Sequence, residues 1–283
     1  MGKQRREEIL SRLHRQGYVS VRQLAHDFGV DSSTIRRDLE TMAQLGMVER
    51  SHGGATLLSE PAEIPYDVKV GTNVAQKQAI ARAVAEVVPH GSSLLMDSGS
   101  TTLEVARALR GHRELTVITN DLRVAAEIAN QGDVRLIVLG GEALPAVYTL
   151  ASERAVNLIR EFHVDYAVMA ADAVDPQGIT NTNSNEVSMK RAMLRAAAKV
   201  LLVADSSKFG HSALVRVSDL GEVDLVITDD ALGEDAAADY PVEIRRVGVE
   251  SPPGSAMAPM PTTPRSAMEP ALVPAGSRST GTS

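Results

Sequence analysis

Two short runs of this sequence combine hydroxyl-bearing residues with cations, the residue types that hold anions. In "DSSTIRRDLETM", Asp31 to Met42, Ser32, Ser33 and Thr34 precede Arg36 and Arg37 on what reads as a short helix. An arginine fork holds a guanine edge or a phosphate through paired hydrogen bonds, and hydroxyls at a helix N-terminus donate to phosphate oxygens. The two arginines could equally be the wet face of an ordinary helix, paired with Asp38 or Glu40. In "LLMDSGSTTLEVARAL" an apolar run opens into Asp97, Ser98, Gly99, Ser100, Thr101 and Thr102 before a helical pattern begins. Such a turn aims several N–H and O–H groups at one point, which suits a phosphate, although Gly and Ser also occur there simply to make the turn. Gly140 and Gly141 in "LGGE" end another β-rich run, and "ADSSKFG" ends a third with Lys208 attached. Lys190 in "NEVSMKRAM" adds a cation, or stays solvated beside Arg191, while Asp97 could do no more than cap the helix after it.

The elements that must position these residues follow from periodicity. Ile9, Leu10 and Leu13 recur at helical spacing over 4–16, and Gly17 stops the pattern. Ser20 is placed to cap a second helix that buries Leu24 and Phe28 and ends at Gly29. Asp31 or Ser32 caps a third, with Ile35, Leu39 and Met42 on one face and Gly46 at its end. The turn between helices two and three is very short, as a helix-turn-helix requires. "MVERSHGGATL" then offers two short strands around a Gly-Gly turn, a β-hairpin wing.

Residues 59–75 contain two prolines and read as a linker. From Gln76 to about Val249 helical segments at 77–88, 101–110, 121–130, 151–161 and 186–197 alternate with seven β-rich runs: "SLLMD", "LTVIT", "VRLIVLG", "VDYAVMAA", "KVLLVAD", "VDLVITD" and "VEIRRV". This alternation predicts βα units around a mostly parallel sheet covered on both faces. In such a sheet the strand C-terminal loops share one edge, so the three Gly/Ser-rich loops converge there. The last 33 residues hold seven of the 13 prolines and read as a disordered tail over 251–283.

Composition limits the function classes. The chain has 283 residues, room for about two domains of roughly 100–200 residues each. With no cysteine there is no disulfide framework, thiolate chemistry or Cys-based metal site, and no motif calls for a metal or cofactor. A charged N-terminus and the lack of any apolar run near ~18 residues lead to the expectation of a soluble cytoplasmic protein, away from membranes. The net charge of −7 is uneven: +2 over 1–58, −10 over 59–250 and +1 over the tail, so nucleic-acid binding by the first region is allowed though not demanded.

The order of these signals is specific. "GYVSVRQLAHDFGVDSSTIRRDLETMAQLGMVERSHGGA" closely resembles the N-terminal signature of the DeoR family of bacterial transcriptional regulators, with almost every position from Ser20 to Ala55 filled. The resemblance implies a winged helix-turn-helix over 1–58 that binds double-stranded operator DNA. Among DNA-binding residues, Thr34, Arg36 and Arg37 would lie on its recognition helix with Ser32 and Ser33 at its start, Ser20 at the cap of the helix before it, and Arg50, His52 and Gly53 in its wing. Asp38 is better suited to pairing with an arginine or capping than to facing phosphate; Gly53 and Gly54 can simply satisfy the turn, and His52 can pack in the wing or touch phosphate.

The runs "DSGSTT", "ITN", "LGG", "MKRAM" and "ADSSKFG" likewise resemble the family's effector domain, here 76–250, an α/β sensor similar in fold to ribose-5-phosphate isomerase. The resemblance implies a phosphorylated sugar as effector, with Asp97, Ser98, Gly99, Ser100, Thr101, Thr102, Gly140 and Gly141 around it, Asp172 and Lys190 at the sugar or its phosphate, and Lys208 at the rim. It implies a repressor of carbohydrate-metabolism genes. Ala151, Ala170 and Ala173 stand where the family commonly has glycine, and a Cβ at a close approach reshapes a pocket. Symmetric dimers are the default for readers of paired half-sites, so a homo-oligomer, dimer or tetramer, is expected. The alternative is a sugar-phosphate isomerase-like enzyme with an accessory DNA-binding domain, using Asp172 or Glu186 as its base.

Overall fold

The computed structural model describes residues 2–44, 48–51, 53–57, 66–144 and 147–249; Gly46, His52, the stretch 58–65 and the tail 251–283 lie outside it. The first region is built from α1 (Gly2–Gln16), β1 (Tyr18–Ser20), α2 (Val21–Phe28), α3 (Ser32–Gln44), β2 (Val48–Ser51) and β3 (Gly54–Leu57). Its core is most of the set the periodicity marks: Ile9, Leu10, Leu13, Leu24, Ile35, Leu39 and Met42 are buried, joined by Val19, Val48 and Ala55, whereas Phe28, expected inside, is only partly buried, with the Arg12 guanidinium over its ring. The wing has a third strand that periodicity over three residues cannot announce, since β1 pairs antiparallel with β3 in the sheet order β1-β3-β2.

The caps are decided differently from expectation at one helix and resolved at another. Ser20 sits at the N-cap of α2 with extended backbone, but its side chain makes no cap hydrogen bond; the Val21 N–H donates to the Gly53 carbonyl at 2.8 Å instead. For α3 the cap is Asp31, whose carboxylate accepts from the Ser33 N–H at 2.7 Å. The Ser33 hydroxyl first, and its N–H second, hold Asp31 below the usual carboxylate range. Gly29 closes α2 in the left-handed conformation, φ +61°, as read from the sequence.

The second region contains α4 (Tyr66–Gly71), α5 (Val74–Val87), β4 (Ser93–Met96), α6 (Ser100–Ala108), β5 (Leu115–Thr119), α7 (Leu122–Ala129), β6 (Val134–Val138), β7 (Glu142–Ala143) and β8 (Leu150–Ala151). It continues through α8 (Glu153–Ile159), β9 (Val164–Met169), β10 (Ala173–Asp175), β11 (Gly178–Asn181), α9 (Val187–Ala196), β12 (Ala197–Val203), β13 (Val215–Ser218), β14 (Leu225–Asp229), α10 (Glu234–Ala238) and β15 (Ile244–Val247). The seven β-rich runs read from the sequence are the seven strands of one parallel sheet, in the order β15-β14-β12-β9-β4-β5-β6. Alternate residues of these strands feed two cores. Leu94, Met96, Val168 and Leu201 pack with α5, α6 and α7, while Leu95, Ala167, Met169 and Leu202 pack with α8 and α9. A sheet buried on both faces explains why its strands read as continuous apolar runs.

Two features depart from the sequence reading. Within the stretch that reads as a linker, Tyr66–Gly71 is the helix α4, and α5 begins at Val74. A small antiparallel sheet, β10-β11-β13, and the β7-β8 pair also lie outside the predicted alternation. No helix among the described residues is long and apolar enough to cross a membrane.

Candidate functional site

In the parallel sheet the chain leaves β4 toward β5 and β6 on one side, and returns to β9, β12 and β14 on the other. The loops after β4 and β9 therefore diverge, which opens a crevice at the strand C-termini, the usual ligand position in open α/β sheets. A cleft of about 50 Å³ lies there, and its lining includes Ser98, Gly99, Ser100, Thr101, Asp172, Lys190 and Lys208. Seven of the eleven residues expected around an effector are thus brought together. A larger, more open cleft of about 340 Å³ among Arg160, His163, Arg191 and Arg195 lies at the opposite edge, where β9 and β12 begin. None of the residues expected around an effector lines it, so the smaller cleft is the better candidate.

The remaining four expected residues have other places. Asp97 lies behind the loop: its carboxylate accepts from the Ser98 N–H at 2.9 Å and the Ala170 N–H at 3.0 Å, and pairs with the Lys190 ammonium. Thr102 donates back to the Gly99 carbonyl at 2.8 Å. Gly140 and Gly141 stand outside the cleft lining; Gly141 backs onto the Ala151 main chain in the β7-β8 ladder, where an added Cβ would lie 2.6 Å from the Ala151 oxygen. Of the three alanines, Ala170 alone lines the cleft, and it packs on the loop: a Cβ built on Gly99 would meet the Ala170 Cβ at 3.0 Å.

Lys190 corrects the reading of a solvated lysine beside Arg191. It is 2% exposed, and besides Asp97 it donates to the Ala170 carbonyl at 3.0 Å. Burial opposes its charge, but Asp97 and Glu186 prevail and raise its pKa. The pair knits the loops after β4 and β9 into one unit beneath the cleft. Ser98 is tied down as well, donating to Asp121 at 2.7 Å, and Thr149 Oγ1 lies 2.7 Å from Ser98 Oγ and 3.0 Å from Glu186 Oε1. Desolvation pushes the Asp121 carboxyl up, against the N–H groups of α7 that it caps.

The sequence reading missed Tyr66, Lys69 and Asn181. Lys69 on α4 pairs with Asp172 at 2.9 Å, and the Thr182 N–H donates to the other Asp172 oxygen, also at 2.9 Å. Burial alone would raise the Asp172 pKa; Lys69 and Lys208 overcome it and hold the carboxyl well below its usual range. Tyr66 donates to the Gly99 carbonyl at 3.3 Å, and burial first, then Asp121, pushes its phenol up, so it stays neutral. A helix inside a Pro-containing stretch carries no strong periodic signal over six residues, which is why α4 was illegible.

Behind α4 lies Lys77, 4% exposed, donating to the Lys69 and Thr72 carbonyls. Burial lowers its pKa from 10.5 to about 8. Between those values the unfolded chain binds a proton that the folded chain has released, so this site makes stability rise with pH from about 8 to about 10.5, by on the order of 3 kcal/mol. Urea unfolding at pH 7.5 and 10 should show that gain in wild type relative to Lys77→Met. Parallel pH slopes in the two proteins would exclude the shift.

In the first region Arg36 and Arg37 are exposed on α3, and among the described residues neither forms a close ion pair with a carboxylate, although the Arg36 charge reaches the Asp31 cap. Asp38 faces the other way and is buried against α1, with Arg5 at 2.5 Å and Arg6 at 3.3 Å. Glu40 lies 3.6 Å from Arg50 of β2. Ser33 is exposed, while Ser32 and Thr34 are half-buried at the start of α3. Gly53 makes the wing turn at φ +84°, a conformation that favours glycine, and is followed by Gly54, where a Cβ would sit 2.0 Å from the Val19 carbonyl oxygen.

A three-helix unit with an antiparallel wing, followed by a parallel α/β domain with a polar cleft at its topological switch point, defines a DNA-binding regulator with a ligand-sensing domain. Residues 5–61 match the DeoR-like helix-turn-helix domain and residues 72–230 the DeoR C terminal sensor domain. The chain belongs to the DeoR family of transcriptional regulators. It is 37% identical over 227 residues to the glycerol-3-phosphate regulon repressor of Escherichia coli strain K12, covering 80% of this chain and 90% of that protein. It is 31% identical to the HTH-type transcriptional repressor CsqR of the same organism, over 81% of this chain and 88% of that one. Among solved structures, ribose 5 phosphate isomerase A from Neisseria gonorrhoeae aligns over 47% of this chain and 52% of its own, with 17% identity and a TM-score of 0.36.

Proposed function

We propose that this protein is a repressor whose hold on operator DNA is set by a small phosphorylated sugar or polyol bound at the C-terminal edge of its parallel sheet. The observation that carries the reading is the convergence of Asp172, Lys190 and Lys208 with the Ser98–Thr101 loop on one cleft. The phosphate takes the N–H groups and hydroxyls where α6 begins, with Lys208 adjacent, and Asp172 accepts from an effector hydroxyl. Lys190 acts through Asp97, whose carboxylate positions the loop. The relatives named for glycerol 3-phosphate make that polyol phosphate the first compound to try. On the DNA side Arg36 and Arg37 enter the major groove, Ser20, Ser32, Ser33 and Thr34 serve the phosphate backbone, and the wing carries Arg50, His52 and Gly53 to the adjacent backbone. The protein works as a symmetric oligomer in the cytoplasm, and a coupling of about 1–3 kcal/mol changes operator affinity 5- to 150-fold.

A binding role fits the cleft better than isomerase chemistry. A general base works best with a pKa near the working pH, whereas Asp172 is held well below the carboxylate range by its lysines. Glycerol 3-phosphate, ribose 5-phosphate or fructose 6-phosphate, at about 100 times its Kd, should stabilise the fold by about 2.7 kcal/mol and raise Tm accordingly. A flat thermal-shift response to all three removes the phosphorylated effector from this reading, and steady conversion of ribose 5-phosphate to its ketose would restore the enzyme.

A further inference from the structure

The cleft that serves the proposed effector is too small for it. About 50 Å³ holds only a few waters at roughly 10–15 Å³ each, whereas ligand pockets run to about 300–1,000 Å³. A sugar phosphate seated fully within the cleft, and not at its open mouth, displaces something in the lining. The loops after β4 and β9 are the wrong candidates, because the buried Lys190–Asp97 pair locks them together.

The lining residues Tyr66 and Lys69 come from a different kind of element. Helix α4 has six residues and is held over the cleft by the buried Tyr66 ring, by Lys77 bonding to the Lys69 and Thr72 carbonyls, and by side-chain bonds to three loops. Tyr66 bonds to the loop after β4 through the Gly99 carbonyl, and Lys69 to the loop after β9 through Asp172. Just past α4, Asn73 reaches the loop after β12, donating to Asp205 at 2.8 Å and Ser207 at 3.2 Å. On its outer side Asp67 pairs with Arg123 at 2.6 Å, and that guanidinium lies 5.0 Å from the Tyr66 ring centre and 4.2 Å from that of Tyr148. The groups that α4 occupies, Asp172 and the loop at Gly99, are those a phosphorylated polyol would need. In sequence, only eight residues separate α4 from the last wing strand, which ends at Leu57.

We infer that α4 is a strap competing with the effector: a phosphorylated ligand claims the Gly99 loop and Asp172, Tyr66 and Lys69 let go, and the freed helix passes occupancy to the DNA-binding domain through the short connection before it. This deepens the proposed function and rests on it for the ligand. The strap holds the ligand-free state, so weakening it raises the fraction of binding-competent protein and tightens apparent affinity in proportion.

The test uses Arg123→Ala in the full chain, because Arg123 clamps α4 from outside the cleft, with Tyr66→Phe as a second variant should the first fail to fold. Hydrogen exchange is followed at amides 66–72, and affinity is measured for glycerol 3-phosphate and for a duplex selected from a random pool by wild type. The expected results are at least fivefold faster exchange in the ligand-free variant, 3- to 10-fold tighter ligand binding, and an operator affinity moved in the direction that saturating ligand moves wild type. Faster exchange in α4 with unchanged operator affinity overturns the strap, as does bound ligand that leaves wild-type exchange at 66–72 unaltered. If no phosphorylated probe binds wild type, the effector reading fails by itself, and the ligand-free operator affinity of Arg123→Ala still decides for or against the strap.

Discussion

Lys190→Met is expected to lower the stability of the full chain by about 3–5 kcal/mol, a fifth or more of the roughly 5–15 kcal/mol a typical domain has. Both side chains of the Lys190–Asp97 pair are 3% exposed, so removing the ammonium leaves a carboxylate in a site that water does not reach. Asp97 retains the Ser98 and Ala170 N–H groups, which soften the loss without replacing the charge. The double variant Asp97→Asn/Lys190→Met removes both charges and should recover more than half of the loss, since the cost lies mainly in the orphaned charge. Urea unfolding of the four proteins of this cycle measures it. A single-variant loss below 1 kcal/mol would mean that Lys190 is solvated after all. Because the pair joins the two loops under the cleft, the folded fraction of Lys190→Met should also bind phosphorylated ligand more weakly.

The second large effect belongs to DNA binding. Arg36→Ala/Arg37→Ala is expected to weaken operator binding by roughly 2–6 kcal/mol if each arginine contributes about 1–3 and the two add, so at least about 30-fold. Neither arginine is held by a carboxylate among the described residues, and α1, not the DNA face, claims Asp38. The variant should therefore fold normally, which circular dichroism checks before fluorescence anisotropy is read. The single variants separate roles. An arginine on a phosphate weakens all sequences alike and lowers the slope of log K against log salt by about one, whereas an arginine on a guanine relaxes preference at one position. Binding within twofold of wild type in the double variant would remove α3 as the recognition helix.

Much of the fold was legible because its signals are local. Three amphipathic helices, Gly29 at a helix end and seven apolar runs report backbone period and two-sided burial, and each needs only a window of several residues to be read. Short elements escaped. Tyr18–Ser20 is a strand only because β3 lies beside it, and Tyr66–Gly71 is a helix only because the cleft and Lys77 hold it. Ser20 sits at the expected cap position, yet the Gly53 carbonyl does the bonding.

The candidate site divides the same way. Side-chain chemistry and the order of motifs by themselves determined the class of protein, a DNA-reading first domain joined to a phosphate-suited α/β domain, together with the loops that could hold an anion. Which charges are spent on structure was decided only by the tertiary fold. Lys190 turned inward to Asp97, Asp38 turned to α1, and Lys69 came to Asp172 from a helix 103 residues away. The physical reason is that a residue's type sets what it can bond, while burial and the distance to a partner set what the bond is worth, and those distances exist only once the sheet has brought its loops to one edge.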